Sequence, residues 1–302
     1  MEFRMTLDRF IRLFGNIKYF VPTYRQCWVI MFYICIIGGI GIGATLIMAA
    51  SITGIRVDDM NPVITYLLPM IPAFIYILFK GNEAAKSNDI AKEKGLYDRI
   101  TKAVPLNQYK LKGIKPGMTA LLSVIATLCS MTILEPISIW IPMPEAVKEI
   151  YRQMLDNNLW TTVSVVIAAP LVEEFLLRGV MLRGMLKHTY PLKAIIYSAL
   201  FFALVHMNLY QAAGAFMVGL FMGWIYYITG SLWLTILIHA TNNGFSTLFT
   251  ILLPESYIDT ALMELVIQHS SAICYTVLYI IAALIFTAIA YYFHKNAYYG
   301  KE

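Results

Sequence analysis

Charge is scarce in this sequence. Only 14% of its 302 residues are Asp, Glu, Lys or Arg, against about 25% in an ordinary soluble domain. The hydrophobic set makes up 59% and the mean hydropathy is +0.66, which excludes a water-soluble globule and points to a polytopic membrane protein. The net charge of +5 is too small and too dispersed to be a nucleic-acid footprint, so no nucleic-acid partner is expected. Cysteine is also sparse. Cys27, Cys35, Cys129 and Cys274 lie far apart, with no CxxC and no metal-ligand spacing, which argues against a disulfide framework or a zinc knuckle. HExxH, internal repeats and low-complexity tracts are absent. The opening stretch, MEFRMTLDRFIRLFGNIKYFVPTYRQ, has no short apolar core followed by a small-residue cleavage site. The first apolar run is therefore expected to remain as a span.

What the sequence has is long apolar runs. Eight candidate helices, at 27–50, 62–79, 117–141, 160–186, 190–207, 210–229, 231–252 and 270–293, are each near the roughly 20 residues that cross about 30 Å of hydrocarbon. The expected fold is all-α and polytopic: about eight transmembrane helices, with a compact core of four successive helices joined by links of a few residues. Nineteen Lys and Arg fall in the N-terminal segment, the 80–116 stretch, the turn after the fourth span and the C-terminal tail. The opposite side has only Arg56, Lys148 and Arg152. The positive-inside rule then predicts that both termini are cytoplasmic. The 80–116 stretch reads as a solvated basic loop, with an interfacial helix near 87–103 as the alternative. Residues 143–159 read as a short surface helix on the outer side. Gly39 and Gly43 in the first span, and Gly219 and Gly223 in the sixth, form small-xxx-small patterns that let helices approach closely.

Ionisable residues inside the runs are few: Glu135, Glu173, Glu174, Arg178, His206 and His239. A carboxylate at the bilayer centre costs about 2.5–3.5 kcal/mol on insertion scales, so such residues are functional candidates. Glu174 and Arg178 stand at i and i+4 with the acid first, the better order for a helical ion pair. Glu173 points about 100° away and is left as a carboxylate suited to general acid or base work. Pro170 cannot donate to the carbonyl of Val166, which loosens the helix beside that carboxylate. Phe202 precedes His206 by one turn on one face, and His239 and Asn243 share another. A carboxylate with an imidazole can deprotonate water, and a second imidazole with a carboxamide can donate to a developing oxyanion. Counted along the helices, His206 and His239 differ in depth by roughly 12 Å, a tension for one shared site. Arg183 is near enough to the cytoplasmic end to snorkel. Glu135, before Pro136, either bonds another helix near the outer face or lines the cavity.

Three motifs, EEFLLR (Glu173 to Arg178), FALVH (Phe202 to His206) and HATNN (His239 to Asn243), resemble those of the CAAX-protease and bacteriocin-processing family. These are intramembrane endopeptidases related to the type II CAAX prenyl endopeptidase. The resemblance covers roughly 160–250. It implies that Glu173 and His206 activate water, that His239 and Asn243 form the oxyanion site, and that Glu174, Arg178 and Phe202 support them. It divides the chain into 1–159 (cytoplasmic segment, three spans and the basic 80–116 loop), a catalytic helical core at 160–252, and 253–302 (outer loop, last span and cytoplasmic tail). No cofactor is expected. A zinc ion held by Glu173, His206 and His239 is the alternative, since the family has also been described as metalloproteases. The expected partners are a peptide or membrane-protein substrate and the lipid bilayer, and the expected location is the bacterial cytoplasmic membrane.

Two other classes use the same residues. A transporter would use Glu173 and the histidines as a proton relay, although the motif-bearing helices show no inverted repeat. A non-catalytic scaffold or immunity protein would keep the fold alone.

Overall fold

The computed structural model describes residues 8, 11–54, 60–111, 113–141, 143–155, 159–252, 260 and 262–297. Arg4, Arg9, Arg56, Lys112 and Lys301, which enter the orientation argument, lie outside these residues, as does 253–259 of the outer loop. Among the described residues there is no strand. The helices, in order, are α1 (Tyr24–Thr53), α2 (Pro62–Glu93), α3 (Pro116–Leu134), α4 (Glu145–Leu155), α5 (159–188), α6 (Pro191–Val205), α7 (Leu209–Thr229), α8 (Leu232–Leu252), α9 (Leu262–His269) and α10 (Ala272–Asn296). Every one of the eight apolar runs falls on a helix. Among the described residues, five stretches are long and apolar enough to cross a membrane: α1, α2, Pro116–Ile137, α7 and α10; α6 is a shorter apolar helix. The fold is thus all-α and polytopic.

Starts and stops follow local chemistry. Thr23 and Gln26 form a reciprocal capping box at α1. Asn61 caps α2, with Pro62 at the position where a missing N–H costs nothing. Ser271 accepts from the Cys274 N–H to open α10. Gly230, at φ +64°, ends α7 in the left-handed conformation.

The chain groups into two compact units. The first contains Met1–Leu106 and Gly179–Ala194; the second contains Asn107–Arg178 and Ile195–Glu302. The division therefore cuts α5 after Arg178 and α6 after Ala194.

In the first unit α2 runs on to Glu93, so the first third of the stretch read as a basic loop is helix. The helix continues past Lys80 through Gly81, where the missing Cβ lets it lie close to the backbone of Asn16 and Ile17. Beyond it, the buried Asn88 side chain pairs with both backbone groups of Thr101 at 2.8 and 2.9 Å, pinning the returning chain. Residues 33–42 of α1 are π-helical, and the close approach there uses Gly38: a Cβ on it would run into the carbonyl of Pro69, whereas Gly43 has open space around it. Arg183 does not snorkel. It is buried, and its guanidinium donates to the carbonyls of Ile17 (3.1 Å), Phe20 (2.6 Å), Lys18 (3.4 Å) and Val104. A charged donor satisfied by four carbonyls is stable where a bare one would not be.

In the second unit α3 packs against α8 and α10, and α7 against α8. The segment before α3 is tied to the α7–α8 turn by Gln108 N–H to Gly230 O and Lys110 N–H to Thr229 O, both 2.7 Å. The helix expected over 143–159 is present as α4. It buries Val147 and carries the ion pairs Lys148–Glu145 and Arg152–Glu149. Glu135 bonds another helix, as one of its two readings had it: its Oε1 accepts from the Met263 N–H at 2.9 Å, at the start of α9.

Candidate active site

The site is built in the second unit on α5, where the helix is irregular. Residues Ser164–Ala168 are π-helical, and the Ala169 N–H reaches back five residues to the Ser164 carbonyl. The next bond in that register would run from residue 170 to Val165, but Pro170 has no N–H. The Asn243 side chain of α8 fills the gap, its Nδ2 donating to the Val165 carbonyl at 2.9 Å. The wide turn therefore moves the vacated carbonyl from Val166, where an α-helical register puts it, to Val165. One side chain repairs the backbone and holds α8 to α5 two turns before the glutamates.

Glu174 and Arg178 pair as their spacing predicts. Arg178 donates to Glu174 Oε1 at 2.8 Å, and both side chains are sealed from solvent. The same carboxylate oxygen also meets His239 Nδ1 at 3.0 Å. A second Arg178 nitrogen donates to the Gly219 carbonyl on α7 at 3.1 Å. The guanidinium carbon lies 4.7 Å from the Phe202 ring centre, a desolvated cation–π contact of the kind worth about 2 kcal/mol. Gly219 makes this possible. A Cβ there would press on Ala199 and Phe202 at 3.0–3.2 Å, so glycine lets α6 and α7 close around Arg178. Gly223, one turn on, meets Ile195 in the same way.

Phe202 is the hub of the aromatic contacts. The imidazoles of His206 and His239 each stand edge-on to its ring with centroids 5.1 Å away. The two histidines thus share a neighbour despite the depth difference counted along the helices. His206 lies just past the end of α6, and its Nδ1 bonds the Phe202 carbonyl at 2.8 Å. Glu173 occupies the adjacent face of α5. It is 9% exposed where Glu174 is 0%, so both carboxylates are buried and Glu173 is the less enclosed of the two.

These contacts fix the imidazole tautomers. A carbonyl can only accept, so His206 Nδ1 carries a proton and its neutral Nε2 is an acceptor. A carboxylate that already takes Arg178 also accepts from His239 Nδ1, so His239 donates from Nε2 only as the imidazolium. His206 thus presents an acceptor at Nε2, and His239 engages Glu174 through Nδ1. Among the described residues, no group of three or more His, Cys, Asp or Glu is arranged to hold a metal ion.

The sequence did not disclose that Glu174 joins His239, nor that Asn243 is engaged by a backbone carbonyl. Asn208, the cap of α7, also escaped the sequence reading. Its signal was legible: an asparagine immediately before an apolar periodic run is an N-cap signature.

A helical integral membrane protein with a buried carboxylate–guanidinium–imidazole network is the class that this fold and site define. Compared with known families, residues 155–245 match the family model described as Rce1-like, type II CAAX prenyl endopeptidase Rce1-like. The resemblance read from the three motifs is borne out over that stretch, which contains all of them and supports a CAAX-type protease at the level of the family. Comparison with curated proteins and with solved structures found no match.

Proposed function

We propose that the protein is an intramembrane endopeptidase that hydrolyses a peptide bond with water activated by Glu173 and His206. The observation that carries this reading is the division of labour on α5. Glu174 is committed to a network with Arg178 and His239 on one oxygen, while Glu173, buried beside it but less enclosed at 9% exposure against 0%, lies on the adjacent face.

In the proposed step Glu173 takes a proton from water as the water oxygen bonds to the scissile carbonyl carbon, and His206 Nε2 orients that water. The carbonyl π electrons move to oxygen. The resulting oxyanion receives the His239 Nε2–H, and the second N–H of the Asn243 carboxamide completes the pair of donors. Collapse re-forms the carbonyl and breaks the C–N bond, and the leaving amine takes the proton from Glu173. Phe202 and Arg178 hold the two imidazoles and Glu174 in register. The step is written without a metal. The substrate class is a peptide or a membrane protein met at the bilayer. The catalytic core is 160–252, and both termini face the cytoplasm of a bacterial cell.

The test is cleavage of a peptide library by purified protein in nanodiscs, comparing wild type with Glu173→Ala and His206→Ala, each with and without a strong chelator. The expected outcome is cleavage by wild type that survives chelation and is lost in both variants. Activity abolished by chelation contradicts the metal-free step, and cleavage that survives Glu173→Ala contradicts the role of Glu173.

A further inference from the structure

The turn that follows His206 is irregular. Met207 has φ +51°, and it is the one non-glycine residue with positive φ among the described residues. This left-handed conformation is unfavourable for a side chain that is neither glycine nor asparagine. The turn tightens as α6 ends: His206 N–H reaches the Ala203 carbonyl at 3.3 Å and Met207 N–H reaches Leu204 at 3.1 Å. The Phe202 carbonyl is thereby released from its usual backbone partner, and it accepts the His206 ring N–H instead.

Asn208 closes the turn. Its Oδ1 accepts from the Gln211 N–H at 2.9 Å, capping α7. Its Nδ2 donates to the His206 carbonyl at 2.8 Å and to Gln211 Oε1 at 2.6 Å. The orientation of this amide is settled by its backbone partners, because an N–H needs an acceptor and a C=O needs a donor. A flipped amide would satisfy neither. His206 is thus fastened twice, by its ring to Phe202 and by its backbone carbonyl to Asn208.

We propose that Asn208 is a positioning residue for His206. Its carboxamide holds the His206 carbonyl in the Met207 turn and so fixes where the imidazole Nε2 points. The inference rests on the water-activating role of His206 proposed above, and it extends the site beyond FALVH, which ends at His206. A plain helix cap would need only the oxygen of Asn208. Positioning needs the N–H groups.

Two substitutions separate these roles. Asn208→Asp keeps the capping oxygen and loses the donors. Asn208→Gly removes the side chain without adding charge, at a position where helix N-caps tolerate glycine. Wild type and both variants are compared in nanodiscs by ring ¹⁵N spectra of labelled histidine and by kinetics on the library peptide that wild type cleaves fastest. The expected result is a single Nδ1–H tautomer for His206 in wild type and tautomer averaging in both variants. With it, kcat falls by on the order of tenfold to a hundredfold at a KM within about twofold, the pattern of a misplaced catalytic group.

A wild-type tautomer in either variant overturns the proposal, as does unchanged kcat with a changed tautomer. If wild type cleaves no library peptide, the proposed activity fails for those substrates. The ring spectra then decide the positioning by themselves: averaging in both variants supports it, and an unchanged tautomer overturns it.

Discussion

Glu173 and Glu174 are chemically identical neighbours with different surroundings. Glu174 holds Arg178 and His239 on one oxygen in a sealed interior, so its removal leaves a buried guanidinium without its counter-charge. Breaking a buried pair in this way costs about 3–5 kcal/mol. Glu174→Ala is therefore expected to lower the thermal midpoint markedly in detergent melting, whereas Glu173→Ala is expected to leave it close to wild type. The sequence carried half of this distinction. The i, i+4 spacing of Glu174 and Arg178 assigns the pair, and the 100° step separates Glu173. His239 as the third member was not legible, because it arrives from a helix 65 residues away, and residue type alone does not say which carboxylate an imidazole will meet.

At the scale of elements, the site depends on one turn where a helix departs from regularity and on one regular helix face that lets its neighbours come close. One is the π turn of α5 before Pro170, repaired by Asn243. The other is the glycine face of α7, which admits Phe202 and Arg178. Gly219→Leu is expected to separate α6 from α7 and destabilise the protein by about 1–3 kcal/mol, the usual cost of overpacking; detergent melting measures it. Gly219→Ala should give a smaller shift in the same direction. The Gly219/Gly223 pattern was visible in the sequence because spacing on a helix determines face. For the first span the same pattern pointed to Gly39 and Gly43, and Gly38 makes the approach to Pro69. The reason is physical: residues 33–42 are π-helical, and a wider turn changes which residue faces a neighbour. The same effect moved the carbonyl vacated by Pro170 from Val166 to Val165. Hydrophobic periodicity assumes 3.6 residues per turn, so it is least informative where the turn is wider.

At the scale of the whole molecule, composition was the plainest signal. Apolar runs of span length predicted helices, and helices stand at all eight. The end of α2 was not legible, because a charged, Ala-rich sequence continues a helix as readily as it forms a solvated loop. The three motifs placed the candidate residues in order along the chain, and the family match over 155–245 contains them all. The account predicts that single cysteines introduced near the N-terminus and in the 80–116 stretch are labelled from the cytoplasmic side, while one beside Lys148 is labelled from the outside. The reverse pattern would contradict the proposed orientation. The central claim is narrower: one of two adjacent carboxylates activates water and the other maintains the scaffold. The most direct measurement is the initial rate of peptide cleavage by folded Glu173→Gln against wild type, with equal thermal midpoints confirmed first. Loss of general-base function predicts a fall of at least about a hundredfold. A Glu173→Gln protein that cleaves at the wild-type rate would contradict the account.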